Sequence, residues 1–123
     1  MNKQDIENNL VLKLSFEFAL LTIQFCEKLE SAKKYIIARQ LLKSGTSIGA
    51  NAIEAQNAES TADFIHKFKI AAKEGEETEY WLILCEYSYN YPETKELLMK
   101  IEDLNKVIGK IISTSKRKRV HGI

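Results

Sequence analysis

Apolar residues in this chain recur at intervals of three and four with charged residues between them, a spacing that predicts helices throughout. The first helix runs from about Asp5 to Leu29 and carries Val11, Leu14, Phe18, Leu21 and Phe25. A polar joint at Ser31–Lys34 leads to a second, from about Tyr35 to Asn57, with Ile37, Leu41, Ile48 and Ala52 on one side. Ser60 or Thr61 can cap a third helix, and Asp63 stands near its positive end. There Phe64, Phe68, Ala71, Gly75, Thr78, Leu82, Cys85 and Tyr89 repeat by four and three without a slip, so this helix is expected from Thr61 to about Tyr89. Asn90-Tyr91-Pro92 ends it, and Pro92 fits the first turn of a fourth helix. That last helix carries Leu97, Ile101, Leu104, Ile108 and Ile111. No alternating strand with hairpin turns is present. The pattern predicts an all-α chain: an antiparallel up-and-down four-helix bundle over residues 1–115, followed by a basic C-terminal tail over 116–123.

The third helix has more apolar surface than one seam needs. Ile70, Trp81 and Leu84 form a second stripe that also includes Glu74 and Glu77. A contiguous apolar stripe left in water marks an interface, and Trp81 is the residue type that anchors one. Ile70, Glu77, Trp81 and Leu84 are therefore the expected contacts of a homo-oligomer. A broad helix buried within a single bundle is the other explanation.

The second helix is unusual in another way. From Ser44 to Ala52, seven of nine residues are Ser, Gly, Thr or Ala, with Gly45 and Gly49 four apart. Each Gly inside a helix costs about 1 kcal/mol relative to Ala, so glycines here need a packing reason. The spacing resembles a membrane dimerisation face, but Lys43, Asn51 and Glu54 exclude that setting. A phosphate-binding loop does not fit either, since no strand leads in and no Gly-Lys-Ser/Thr follows. Close approach of a neighbouring helix remains, and Gly45, Gly49, Asn51, Glu54 and Gly75 are the expected packing residues.

Composition adds limits. The chain has 123 residues, 45% apolar and 28% charged, which suits one soluble domain with a core of its own. Its net charge of +1 conceals an uneven distribution. Lys116, Arg117, Lys118 and Arg119 are adjacent, and setting them aside leaves 14 basic against 17 acidic residues, a net of −3. Cys26 and Cys85 lie in apolar helical patterns and read as buried free thiols of a reducing compartment. No secretory signal or membrane span is visible, which predicts a cytoplasmic protein.

Glu74, Glu76, Glu77 and Glu79 invite a metal or acid–base reading. A di-iron bundle, however, needs inward carboxylates from all four helices and two Glu-x-x-His pairs. His66 stands alone, preceded by Asp63 rather than Glu, and His121 lies in the tail. Neither histidine has a nucleophile partner. The expectation is a protein that is not an enzyme, with no catalytic residue, metal or cofactor.

The segment Gln40-Leu-Leu-Lys-Ser-Gly-Thr-Ser-Ile-Gly-Ala-Asn-Ala-Ile-Glu-Ala55, with Ala62-Asp-Phe-Ile-His-Lys67, Ile70-Ala71 and Glu77-Thr-Glu-Tyr-Trp-Leu82, resembles the 23S rRNA intervening-sequence family of four-helix-bundle proteins. Ser47-Ile48, Asn51 and Glu54 match the family's Ser-Ile-x-x-Asn-Ile-x-Glu pattern, with Ala52 in the place of its second Ile. The resemblance implies a cytoplasmic bacterial protein whose relatives form homopentameric, barrel-like assemblies. Members were first noticed as reading frames inside insertions in 23S rRNA genes. A related branch, the accessory protein of diversity-generating retroelements, binds its reverse transcriptase and nucleic acid through a basic surface. The family defines no catalytic residue.

Two functions follow as expectations. One is binding of RNA or DNA through Lys116, Arg117, Lys118 and Arg119, which an oligomer would multiply. The alternative is a protein-interaction scaffold, presenting the oligomer to a protein partner such as a polymerase without direct nucleic-acid binding. A solvated tail with no partner explains the basic run equally well.

Overall fold

In the computed structural model, which describes residues 1–120, every regular element among the described residues is a helix. A short α1 (Lys3–Asn8) precedes four long helices, α2 (Leu10–Ser31), α3 (Tyr35–Ala55), α4 (Thr61–Tyr87) and α5 (Lys95–Val120). Where the periodicity predicts one first helix there are two, and Asn9 is the cause. Its backbone is extended (φ −119°, ψ 115°) and its side chain accepts the Leu12 N–H at 3.4 Å, so one residue closes α1 and caps α2. Asn2 and Asp5 start α1 with a capping box, in bonds of 2.9 and 3.0 Å.

The other helix ends are equally local. At the end of α2 the Lys33 N–H reaches the Glu30 carbonyl at 2.9 Å and the Lys34 N–H reaches that of Leu29 at 2.8 Å. This is a Schellman turn, with Lys33 in the left-handed conformation (φ 64°) that glycine more often supplies. Ser60 caps α4 as expected, accepting the Asp63 N–H at 3.0 Å. The helix ends at Tyr87 rather than Tyr89, because Ser88 is extended and its hydroxyl donates to the Leu84 carbonyl at 2.6 Å. Pro92 lies outside α5, contrary to expectation. The Glu93 carboxylate instead accepts the N–H groups of Thr94 and Lys95 at 3.1 Å each, and the helix begins at Lys95.

The long helices close a ring: α3 packs between α2 and α4, while α5 packs on α4 and α2. Contacts fix the directions. Cys26 meets the Ala38 carbonyl, Glu54 meets Lys67 and Gly75 faces Asn105, so each long helix runs against the long helix before it. The α4 seam buries Phe68, Ala71, Gly75, Thr78, Leu82 and Cys85, with Phe64 half-buried. Tyr89, beyond the helix end, is 94% exposed and leaves the seam. Leu97, Ile101, Leu104 and Ile108 are buried on α5. Each fully buried Leu, Ile or Phe contributes roughly 1.5–3 kcal/mol. On α2, Val11, Phe18 and Phe25 are buried as expected, but so are Leu12, Ser15, Thr22 and Leu29.

Cys26 and Cys85 are buried free thiols. Burial pushes Cys85 up to about 11 and Cys26 up to about 12, the latter helped by Glu30 and by Cys85 itself. Since the thiolate is the reactive form, both are inert packing residues at neutral pH. No helix among the described residues is long and apolar enough to cross a membrane. The boundary expected after residue 115 falls inside a helix, because α5 continues through Lys116–Arg119 to Val120. His121 and the rest of 121–123 lie outside the described residues.

Candidate functional site

The glycines of α3 are explained by side chains of α2. A Cβ on Gly45 would stand 2.8 Å from Thr22 Cγ2, and one on Gly49 would stand 3.1 Å from Ser15 Oγ. Both α2 hydroxyls are buried and satisfied within their own helix. Thr22 donates to the Phe18 carbonyl at 2.9 Å and Ser15 to that of Leu12 at 3.2 Å. Gly75 serves a different contact: a Cβ there would collide with Asn105 Oδ1 on α5 and lie 3.1 Å from its Cγ. Between α3 and α4, Thr78 Oγ1 lies 2.9 Å from Ser44 Oγ and donates to the Glu74 carbonyl at 2.7 Å. Asn51 is half-buried and donates to the Ser47 carbonyl at 2.9 Å, on its own helix. Glu54 is exposed and ties α3 to α4 through a 3.1 Å ion pair with Lys67. Gly45, Gly49, Gly75 and Glu54 thus stand at contacts between helices, while the hydrogen bond of Asn51 stays within α3.

The second stripe of α4 is only partly free. Ile70 and Trp81 are half-buried, and Trp81 packs against the core of its own chain, while Glu77 and Leu84 are exposed. Tyr80, Ile83 and Tyr87 extend the exposed apolar surface beside it. Periodicity overlooked a second such face, formed on α2 by Phe16, Leu20 and Ile23. Its three-and-four spacing was visible in the sequence, but the inward row of the same helix masked it.

The carboxylates gather no metal-holding group among the described residues, and His66 is exposed. Glu74 is half-buried and its carboxyl is held above the usual range. Burial is the main cause, followed by the charge of Glu77 and a hydrogen bond to it, with Lys73 and Lys43 pulling the other way. One partly shielded carboxyl beside an exposed one supplies neither a ligand set nor a nucleophile.

The basic residues take a more definite form than a tail. Lys116, Arg117, Lys118 and Arg119 are all exposed on the last turns of α5, where positive charge complements the helix dipole. Arg117 continues a row with Lys106, Lys110 and Ser113, spaced so that all four share one face. The row spans roughly 16 Å along the helix. Lys106 pairs with Glu102 at 3.4 Å, but Lys110 and the four terminal cations have no carboxylate partner among the described residues. The arrangement can meet phosphates.

Comparison with known proteins agrees with the fold. Residues 7–113 match the family described as 23S rRNA-intervening sequence protein. Among solved structures, the chain is similar to a Bacteroides thetaiotaomicron protein of unknown function from the S23 ribosomal protein family. The two share 39% identity at a TM-score of 0.79, over 83% of this chain and 97% of that chain. No curated protein matches. The matched residues take in all of α2, α3 and α4 and most of α5, and the chain belongs to the 23S rRNA-intervening sequence protein family.

Proposed function

We propose that this chain is a non-enzymatic, oligomeric helical-bundle protein of the cytoplasm that binds RNA or DNA through the basic end of α5. The carrying observation is the exposed group Lys116, Arg117, Lys118 and Arg119, extended along one helix face by Lys110 and Lys106. A helix presents these cations at fixed spacing, and an assembly repeats the set in every subunit. Two buried free thiols suit a reducing compartment. Fluorescence anisotropy with a structured RNA at two salt concentrations tests the binding. Affinity should fall with salt by about 0.7 to 0.9 log units per log unit of salt for each phosphate neutralised. Absence of binding at low salt, or binding unchanged when the four terminal cations become alanine, would sink the reading.

A scaffold role is the second reading, and the exposed apolar faces favour it: Phe16, Leu20 and Ile23 on α2, and Tyr80, Ile83 and Leu84 on α4. Two unlike faces on one subunit suit head-to-tail contacts that close into a ring, in keeping with the homopentamer that the family resemblance implies. Light scattering tests assembly, and a species of 14.1 kDa refutes it. Trp81→Asp should weaken the oligomer if the α4 stripe is an interface. A protein partner, such as a polymerase, that is retained by the protein lacking the four cations would favour the scaffold over nucleic-acid binding.

A further inference from the structure

All five tyrosines and the single tryptophan lie in the half of the bundle that holds the α2–α3 and α4–α5 joints. Three of them meet at one cleft, where Tyr35, Trp81 and Tyr91 stand with Lys33, Lys34 and Gln40. No carboxylate lines this cleft, so its charge is +2. Tyr35 is 53% exposed at the first position of α3, its ring accessible to a ligand. The Lys34 ammonium sits 5.0 Å from the centre of the Tyr91 ring. Both lysines leave the backbone from the Schellman turn, which fixes where their stems begin. The Trp81 indole N–H is itself buried, with no acceptor among the described residues, so it is the ring of Trp81 that lines the cleft.

We propose that this cleft binds single-stranded nucleic acid, with a base stacked on Tyr35 beside Trp81 and Tyr91 and phosphates meeting Lys33 and Lys34. The chemistry selects such a ligand. A purely apolar occupant would strip water from two ammonium groups without pairing them. A cationic occupant would meet like charge. A nucleotide chain brings flat rings for the aromatics and anions for the lysines, the combination that single-strand sites use. The cleft and the basic end of α5 are at opposite ends of the bundle, and from Lys95 to Lys116 the helix rises roughly 32 Å. The proposal therefore stands independently of the reading given to Lys116–Arg119.

Trp81 is the chain's one tryptophan, so its fluorescence reports on its own surroundings, the cleft among them. Titrating the full chain with an oligouridylate of about ten nucleotides at low salt should quench that emission saturably. Tyr35→Ala should weaken the titration roughly 5- to 150-fold. Replacing Lys33 and Lys34 with alanine should flatten its salt dependence by about 0.7 for each phosphate contact removed. Changing Lys116, Arg117, Lys118 and Arg119 to alanine should leave the quenching in place. The proposal is overturned if the RNA leaves Trp81 emission unchanged, if Tyr35→Ala binds as the parent does, or if quenching is lost with the four terminal cations. Emission that follows protein concentration instead of RNA would put a second copy in the cleft, and would overturn it as well.

Discussion

The α2–α3 and α4–α5 contacts each use glycine to bring helices close, yet they treat the facing side chain differently. Opposite Gly45 and Gly49 stand Thr22 and Ser15, short hydroxyl side chains whose hydrogen bonds are complete within α2. Opposite Gly75 stands Asn105, whose Oδ1 is buried without a partner among the described residues. The first contact is closed on both sides, and at Gly45 the facing Thr22 is β-branched and restricted at χ1. The second has a longer side chain that can swing, and a polar atom that gains little by staying. A glycine is thus as necessary as its neighbour is rigid.

The largest effect that separates the two is expected at Gly45. Gly45→Ala should destabilise by about 1–3 kcal/mol in chemical denaturation, since its Cβ overlaps a β-branched residue fixed in a helix. Adding Thr22→Ala should recover most of that loss, and a double-mutant cycle without coupling would break the comparison. At the other contact, Gly75→Ala alone should cost less. In an Asn105→Ala background it should stabilise by up to about 1 kcal/mol, because the collision is gone and helix propensity remains. Gly109 calibrates both: a Cβ there meets nothing within 4 Å, so Gly109→Ala should stabilise by roughly 0.8–1 kcal/mol.

The smallest effect belongs to Glu74. A carboxyl held above its unfolded value binds its proton more tightly in the folded state. Stability is therefore lost as pH rises from the ordinary carboxylate range through the raised value. Glu74→Gln should give a small gain at neutral pH that vanishes in acid. An equal gain at both would show that the shift is not at work.

Much of this architecture was legible because packing obeys the three-and-four period. The α4 seam from Phe68 to Cys85 is read directly from spacing, as is the need for a close neighbour at Gly45 and Gly49. Which neighbour could not be read, since Ser15 and Thr22 are polar and a hydrophobic pattern passes over them. Asn9 was missed for a related reason: the apolar period continues through a break made by one capping side chain. Pro92 was misplaced because Glu93 can cap α5 with its carboxylate, a bond that only geometry reveals. The basic residues were visible as a run, but their row with Lys106 and Lys110 exists only if the helix continues, and nothing between Ser113 and Lys116 is apolar enough to predict that it does. The aromatic cleft joins residues from three segments, beyond the reach of any local pattern.

Asn9 also sets the order in which the chain comes apart. It is a single extended residue, and α1 beyond it contributes no buried side chain. The joint is held across to α3 by one 3.4 Å contact with Gln56. Releasing α1 exposes no buried side chain of its own, so its amides should exchange with solvent at nearly the rate of an open chain while those of α2 from Lys13 onward stay protected. The cooperative unit of this fold begins after Asn9, and α1 is a separate, low-cost opening at its edge.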